Sequence, residues 1–183
     1  SEAYTVEAVN ERGRAFLAGC ALAPASEADR ARAAEIEAQA ASRLGPAEPV
    51  EGIQEALAGL FESPVWREVS ETCLACGTCT YVCPECHCFN IDDRVLPDGG
   101  ERVRAWDSCM YPGFTLHASG HNPRNTQPQR QRQRVMHKFS IYPDKFGDVL
   151  CTGCGNCTRH CSVHLGVQTV LEAAEKSWRN ATV

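Results

Sequence analysis

The stretch CLACGTCTYVCPECHC, residues 73 to 88, places six cysteines in sixteen positions. A second stretch, CTGCGNCTRHC at 151 to 161, repeats its first part: every cysteine recurs, together with Gly77 as Gly155 and Thr80 as Thr158. This is the one internal repeat in the chain, and each copy reads Cys-x2-Cys-x2-Cys-x3-Cys. Three thiolates at that spacing can wrap one face of a cubic iron-sulfur cluster, whereas the fourth cannot easily turn back to the same cube. In two-cluster ferredoxins it ligates the other cluster and is followed by proline.

Applied residue by residue, that rule assigns Cys73, Cys76, Cys79 and Cys161 to one [4Fe-4S] cluster. The second takes Cys151, Cys154, Cys157 and Cys83. Cross-ligation of this kind staples distant segments together and couples cluster binding to folding. Gly77 and Gly155 suit loops that turn tightly around a cluster and aim amides at sulfur. Pro84 follows Cys83 as the pattern requires, but Ser162 stands after Cys161.

Other uses of these thiols fit less well. Regularly spaced groups of three in a chain read as cytoplasmic make a poor disulfide framework. Structural zinc favours two Cys-x2-Cys pairs over two such four-cysteine blocks.

Not every cysteine belongs to the repeat. Cys86, Cys88 and Cys109, with His87, His117 and His121, are candidates for a third metal or thiol site, or else are small apolar residues buried near a cluster. Cys20 reads as a free thiol. His160 and His164, which flank Cys161, read as hydrogen-bond donors around it or as surface residues.

Composition supports this emphasis. Twelve cysteines against six phenylalanines, four tyrosines and three tryptophans make cysteine the outlier in 183 residues. A net charge of -5 excludes a generally basic nucleic-acid binder. The only basic run, RQRQR at 130 to 134, reads as a solvated helix face. No apolar run approaches the ~20 residues of a membrane span, and the first twenty residues carry charges where a signal peptide is apolar. The expectation is a soluble, cytoplasmic protein without a membrane span.

Around the motifs the sequence reads as mainly helical. Residues 26 to 44 are rich in Ala, Glu and Arg behind Ser26 and Asp29, a helix start. GPAEPVEG at 45 to 52 reads as a linker. Helical spacing follows from Ile53, and Ser63-Pro64 restarts a helix through PVWREVSET. PDGG turns a small hairpin over 94 to 106, and the insert beyond it is irregular. Thr126 and Gln129 form a capping box for a helix to about Phe139, with Val135, Met136 and Phe139 expected to face the second cysteine group. A stripe of Val167, Val170, Leu171, Ala174 and Trp178 closes the chain with an amphipathic helix. The expected domains are 1 to 50, a helical extension or the tail of a further domain, and 51 to 183, the two-cluster domain.

Three stretches carry a more specific likeness: SPVWREVSETCLACGTCTYVCPECHCFNIDD, RAWDSCMYPGFTLHASGHNPR and RQRVMHKFSIYPDKFGDVLCTGCGNCTRHCSV. Over about residues 52 to 175 the chain resembles the C-terminal two-cluster region of the sulfhydrogenase beta subunit, and of the corresponding iron-sulfur component of anaerobic sulfite reductase. In that group the region follows another domain. The resemblance implies an electron-transfer subunit between a flavoprotein that handles NAD(P)H and a catalytic partner such as a nickel-iron hydrogenase. The long insert is also similar to the helical ferredoxin arrangement of heterodisulfide reductase and succinate dehydrogenase subunits, which implies a helical two-cluster ferredoxin-like domain. No acid, base or nucleophile constellation accompanies the cysteines, so no catalytic residues are expected. The alternative is a sulfur- or sulfite-reducing subunit that uses a thiol or third metal site at Cys86, Cys88 and Cys109.

Overall fold

The computed structural model describes residues 3 to 43 and 52 to 181, so the linker expected at 45 to 52 lies almost wholly outside the described residues. The chain divides into two compact units, Ser1–Pro49 and Val50–Val183. The first holds α1 (Glu11–Ala18) and α2 (Glu27–Arg43), neither with a buried residue. Ser26 and Asp29 cap α2 reciprocally, with the Asp29 amide donating to Ser26 Oγ at 3.1 Å and the Ser26 amide to Asp29 Oδ2 at 2.8 Å. No helix is expected from sequence before α2. Asn10 starts α1 there by accepting from the Gly13 amide at 2.9 Å.

The second unit runs α3 (Ile53–Gly59), α4 (Val65–Glu68), α5 (Thr78–Tyr81), β1 (Phe89–Leu96), β2 (Gly99–Trp106), a 3-10 turn (Pro112–Thr115) and α6 (Gln127–Met136). A π-helical turn (His137–Ile141) follows, then α7 (Tyr142–Phe146), α8 (Asn156–Arg159) and α9 (Val167–Ala181). This is the mainly helical fold with one small hairpin that the sequence implies.

One apolar core joins these helices. Leu57 from α3, Val65 and Trp66 from α4, Val135 and Met136 from α6, Phe139 from the π turn, and Val170 and Ala174 from α9 meet in it. Each large side chain sealed there contributes ~1.5–3 kcal/mol. Trp66 keeps its polar edge satisfied by donating Nε1–H to the Leu60 carbonyl at 2.7 Å. Trp178 lies over Gly59 so closely that a Cβ there would overlap the ring. The stripe on the last helix therefore faces this core as expected.

The capping box forms, the Thr126 amide donating to Gln129 Oε1 at 2.9 Å. The helix it starts does not run evenly to Phe139. The π turn closes when the Tyr142 amide donates to the His137 carbonyl, and α7 then continues to Phe146.

The hairpin is longer than expected and pairs Phe89 with Trp106 through to Leu96 with Gly99. Both faces are exposed, so the strands lack the apolar-polar alternation by which a half-buried strand is recognised. Cross-strand charge supports it instead, with Arg102 donating to Asp93 at 2.6 Å and Arg94 to Glu101 at 3.4 Å.

Candidate iron-sulfur site

The two cysteine motifs fold as copies of one another. Gly77 (φ 76°) precedes α5 and Gly155 (φ 71°) precedes α8, short helices that carry the third cysteine of each motif. One residue before the second cysteine of each motif stand Ala75 (φ 53°) and Gly153 (φ 68°), also left-handed. At Gly77 the backbone passes so near Tyr111 that an added Cβ would lie 2.8 Å from its ring. Tyr111 uses that approach to donate its hydroxyl to the Cys76 carbonyl at 3.1 Å. Gln127 likewise donates its side-chain amide to the Cys73 carbonyl.

Beyond the fourth cysteines the copies also agree. The Cys86 amide donates to the Cys83 carbonyl at 3.2 Å, and the His164 amide to the Cys161 carbonyl at 3.0 Å. Ser162 thus enters a turn closed by the same bond as the one at Pro84, although His164 (φ 54°) is left-handed where Cys86 is not. The Leu165 amide also donates to Cys161 Sγ at 3.2 Å, and the Val167 amide to Cys157 Sγ at 3.5 Å.

Two cavities follow from this arrangement. The first, about 390 Å³ counting the part open to solvent, has Cys73, Cys76, Cys79 and Cys161 in its wall with Met110, Gln131 and Arg134. The second, about 550 Å³ on the same measure, has Cys83, Cys151, Cys154 and Cys157 with Cys79, Arg134 and Lys138. Among the described residues no three His, Cys, Asp or Glu side chains are gathered to hold a single metal ion. Thiols spread around a space suit a multi-iron group better than one ion.

The floor shared by the cavities comes from α6 and the π turn, and here the structure reverses one expectation. Arg130, Gln131 and Arg134, read as part of a solvated face, are buried, Gln131 at 1% and Arg134 at 2% exposure. Val135, Met136 and Phe139 lie in the apolar core, against which Cys151 and Cys161 of the second cysteine group pack together with Cys73, and polar side chains of the same helix line the cavities. Arg130 is satisfied by the carbonyls of Met110 at 3.0 Å and Asn125 at 2.8 Å. Gln131 Nε2 and Arg134 Nε and Nη2 have no partner among the described residues. Unpaired buried donors are costly, so donors left in a cavity wall fit an acceptor-rich group such as a sulfide cluster. A signal was present in the sequence: Gln127, Gln131, Arg134 and Lys138 recur at four, three and four residues, a polar stripe of helical period.

Electrostatics favour the thiolate at two of the motif cysteines, Cys83 and Cys76. The Cys86 thiol donates to Cys83 and, with the Lys138 ammonium, holds Cys83 down at about 5, far below the ordinary value of 9.0. Lys138 Nζ lies 3.3 Å from Cys83 Sγ and 3.1 Å from the Leu150 carbonyl. Thr78 lowers the Cys76 thiol by hydrogen bonding. Cys79 is pushed up by burial, against the pull of Arg134.

Three of the four cysteines outside the repeat meet another thiol. Cys86 meets Cys83, and Cys88 meets Cys109, whose thiol hydrogen bond brings Cys88 down to about 6 while Cys109 rises. His117 and His121 meet edge to face, ring centroids 5.3 Å apart, in the loop past the 3-10 turn. His160 and His164 are exposed, His160 Nδ1 lying 3.0 Å from the Asn156 carbonyl. Cys20 lies in the first unit, its thiol donating to the Phe16 carbonyl at 3.4 Å.

Comparison with known proteins follows the same lines. The model of the 4Fe-4S dicluster domain family matches residues 72 to 165, which contain both motifs, and the chain belongs to that family. Its cofactors are two [4Fe-4S] clusters. Sulfhydrogenase 2 subunit beta from Pyrococcus furiosus is 36% identical over 148 residues, 80% of this chain, which spans 44% of that relative's length. No solved structure matches. Among the described residues no helix is long and apolar enough to cross a membrane.

Proposed function

We propose that this chain is an electron-transfer iron-sulfur subunit, with one cluster on Cys73, Cys76, Cys79 and Cys161 and the other on Cys151, Cys154, Cys157 and Cys83. The observation that carries the reading is that two cysteine-lined cavities adjoin, with Cys79 and Arg134 in the walls of both. When bound, a [4Fe-4S] cluster takes up and releases one electron at a time. The chain's own residues hold the thiolates in place, exclude water with Met110 and Leu165, and present N–H donors from Gln131, Arg134 and Lys138.

In this reading the subunit is cytoplasmic and works in a hetero-oligomer. It passes electrons between a flavoprotein linked to NAD(P)H and a catalytic subunit such as a nickel-iron hydrogenase. The likeness to a sulfhydrogenase beta subunit supports the assembly. Residues 51 to 183 form the two-cluster domain, and residues 1 to 50 an extension or the tail of a further domain.

Metal and sulfide analysis after anaerobic purification tests the site. About eight irons and eight sulfides per chain are expected. Cys161→Ala should remove the cluster of the first motif and Cys83→Ala that of the second. Zinc without sulfide, or loss of the same cluster in both variants, overturns the assignment. Proteins that co-purify with the chain test the partners, a flavoprotein and a hydrogenase subunit being expected. Recovery with neither rejects that pairing.

A further inference from the structure

Arg134 stands out among the buried cations because two of its guanidinium nitrogens have no acceptor among the described residues, whereas Arg130 and Lys138 are bonded. It is 2% exposed, and its Nε and Nη2 find no acceptor there. Burying guanidinium donors without an acceptor is strongly unfavourable. The residue also lies in the walls of both cavities, which Gln131 and Lys138 do not: Gln131 lines the first alone and Lys138 the second alone.

We propose that Arg134 is a potential-setting residue common to both clusters, its guanidinium placed between the two cavities so that one positive charge acts on both redox centres. The inference rests on the two-cluster reading. Hydrogen bonds to sulfur and local net charge set the potential of such a cluster. A fixed cation in a poorly polarisable interior favours the reduced, more negative form. A cation shared by two cavities therefore raises both potentials together and leaves their difference to residues that serve one side. Gln131, a neutral donor, belongs to the first cavity. Lys138, charged and bonded to Cys83 Sγ, belongs to the second. The stripe is thus an ordered set: first cluster, both, second cluster.

An EPR-monitored redox titration of the full chain, purified anaerobically, reads this directly. Cys76→Ser and Cys154→Ser, each altering one signal, assign the two reduced-cluster signals. Arg134→Gln is expected to lower both midpoint potentials, Gln131→Leu only the first and Lys138→Met only the second. Arg134→Lys should recover most of the shift at both. If Arg134→Gln moves neither signal, or only one, the proposal is overturned.

A measurement on the unsubstituted chain avoids dependence on variant assembly. With arginine labelled by 15N in the guanidinium, pulsed EPR should show nitrogen coupling at both signals. Coupling absent from either overturns the shared role. Absence of two cluster signals in the unsubstituted chain sinks the two-cluster reading itself, whereas two signals that ignore Arg134 sink only this inference.

Discussion

Asn156, in the second cysteine motif, donates its side-chain N–H at 3.1 Å to the carbonyl of Val82, the residue before Cys83. Its Oδ1 accepts from Arg159 at 2.6 Å, which fixes the direction of the amide. The bond holds Cys83 beside the motif whose cluster it is proposed to complete. Asn156→Ala should cost ~1 kcal/mol, the net worth of a typical hydrogen bond. A difference of that size corresponds to ~5-fold in an equilibrium. Iron release from the second cluster to a chelator should quicken by a similar factor while the first is unaffected, which time-resolved absorbance with EPR would show.

The glycines that precede α5 and α8, Gly77 and Gly155, are not equivalent. An alanine at Gly77 pays for φ 76° and also drives a methyl into the Tyr111 ring. At Gly155 the added Cβ meets only the tip of Arg159, at 2.9 Å from Nη1, which can swing away. Denaturant unfolding under anaerobic conditions should show Gly155→Ala weaker by ~1–2 kcal/mol and Gly77→Ala by clearly more. Equal losses would mean that Tyr111 does not hold the first motif.

Ser162 sits where the first motif has Pro84, and the same backbone bond closes the turn after each fourth cysteine. The turn needs no proline to form. Ser162→Pro should therefore be accepted and should stabilise by ~0.4–1 kcal/mol, by restricting the unfolded chain. A lower unfolding midpoint would show that the two turns differ in backbone angle at this position.

The Cys109 thiol donates to Cys88 and, with His87 and Lys138 nearby, lowers its pKa to about 6. Reaction of Cys88 with iodoacetamide should rise with pH through about 6 and then level off, where an ordinary thiol rises near 9.0. A lowered thiol pKa contributes stability that is complete above the unfolded value and is lost as pH falls through the folded one. Acidification through about 6 should thus loosen the Cys88 to Cys109 contact, and Cys109→Ala should move the reactivity curve upward. Alanine at Cys86 and Cys88 together should leave iron and sulfide content unchanged; loss of a cluster would make them ligands.

What could be read from sequence was what depends on spacing. The Cys-x2-Cys-x2-Cys-x3-Cys repeat, the Thr126 and Gln129 box and the stripe from Val167 to Trp178 all have periods that a chain alone displays. What could not be read depends on the cofactor. A helix carrying Gln131, Arg134 and Lys138 on one side looks solvated unless something polar and buried is known to face it. The full length of the hairpin is hidden because neither of its faces is buried, and α1 because its single cap, Asn10, stands before a segment with no apolar stripe.

Pro143 gives the π turn a further meaning. In a helix widened to a five-residue step, the Lys138 carbonyl would look to residue 143 for its donor, and proline has no N–H to offer. The Leu150 amide takes that carbonyl at 2.9 Å, and the Lys138 ammonium returns a bond to the Leu150 carbonyl at 3.1 Å. A missing donor in one helix thus becomes the mooring point of the residue before Cys151, and the second motif hangs from a gap in that helix's own ladder.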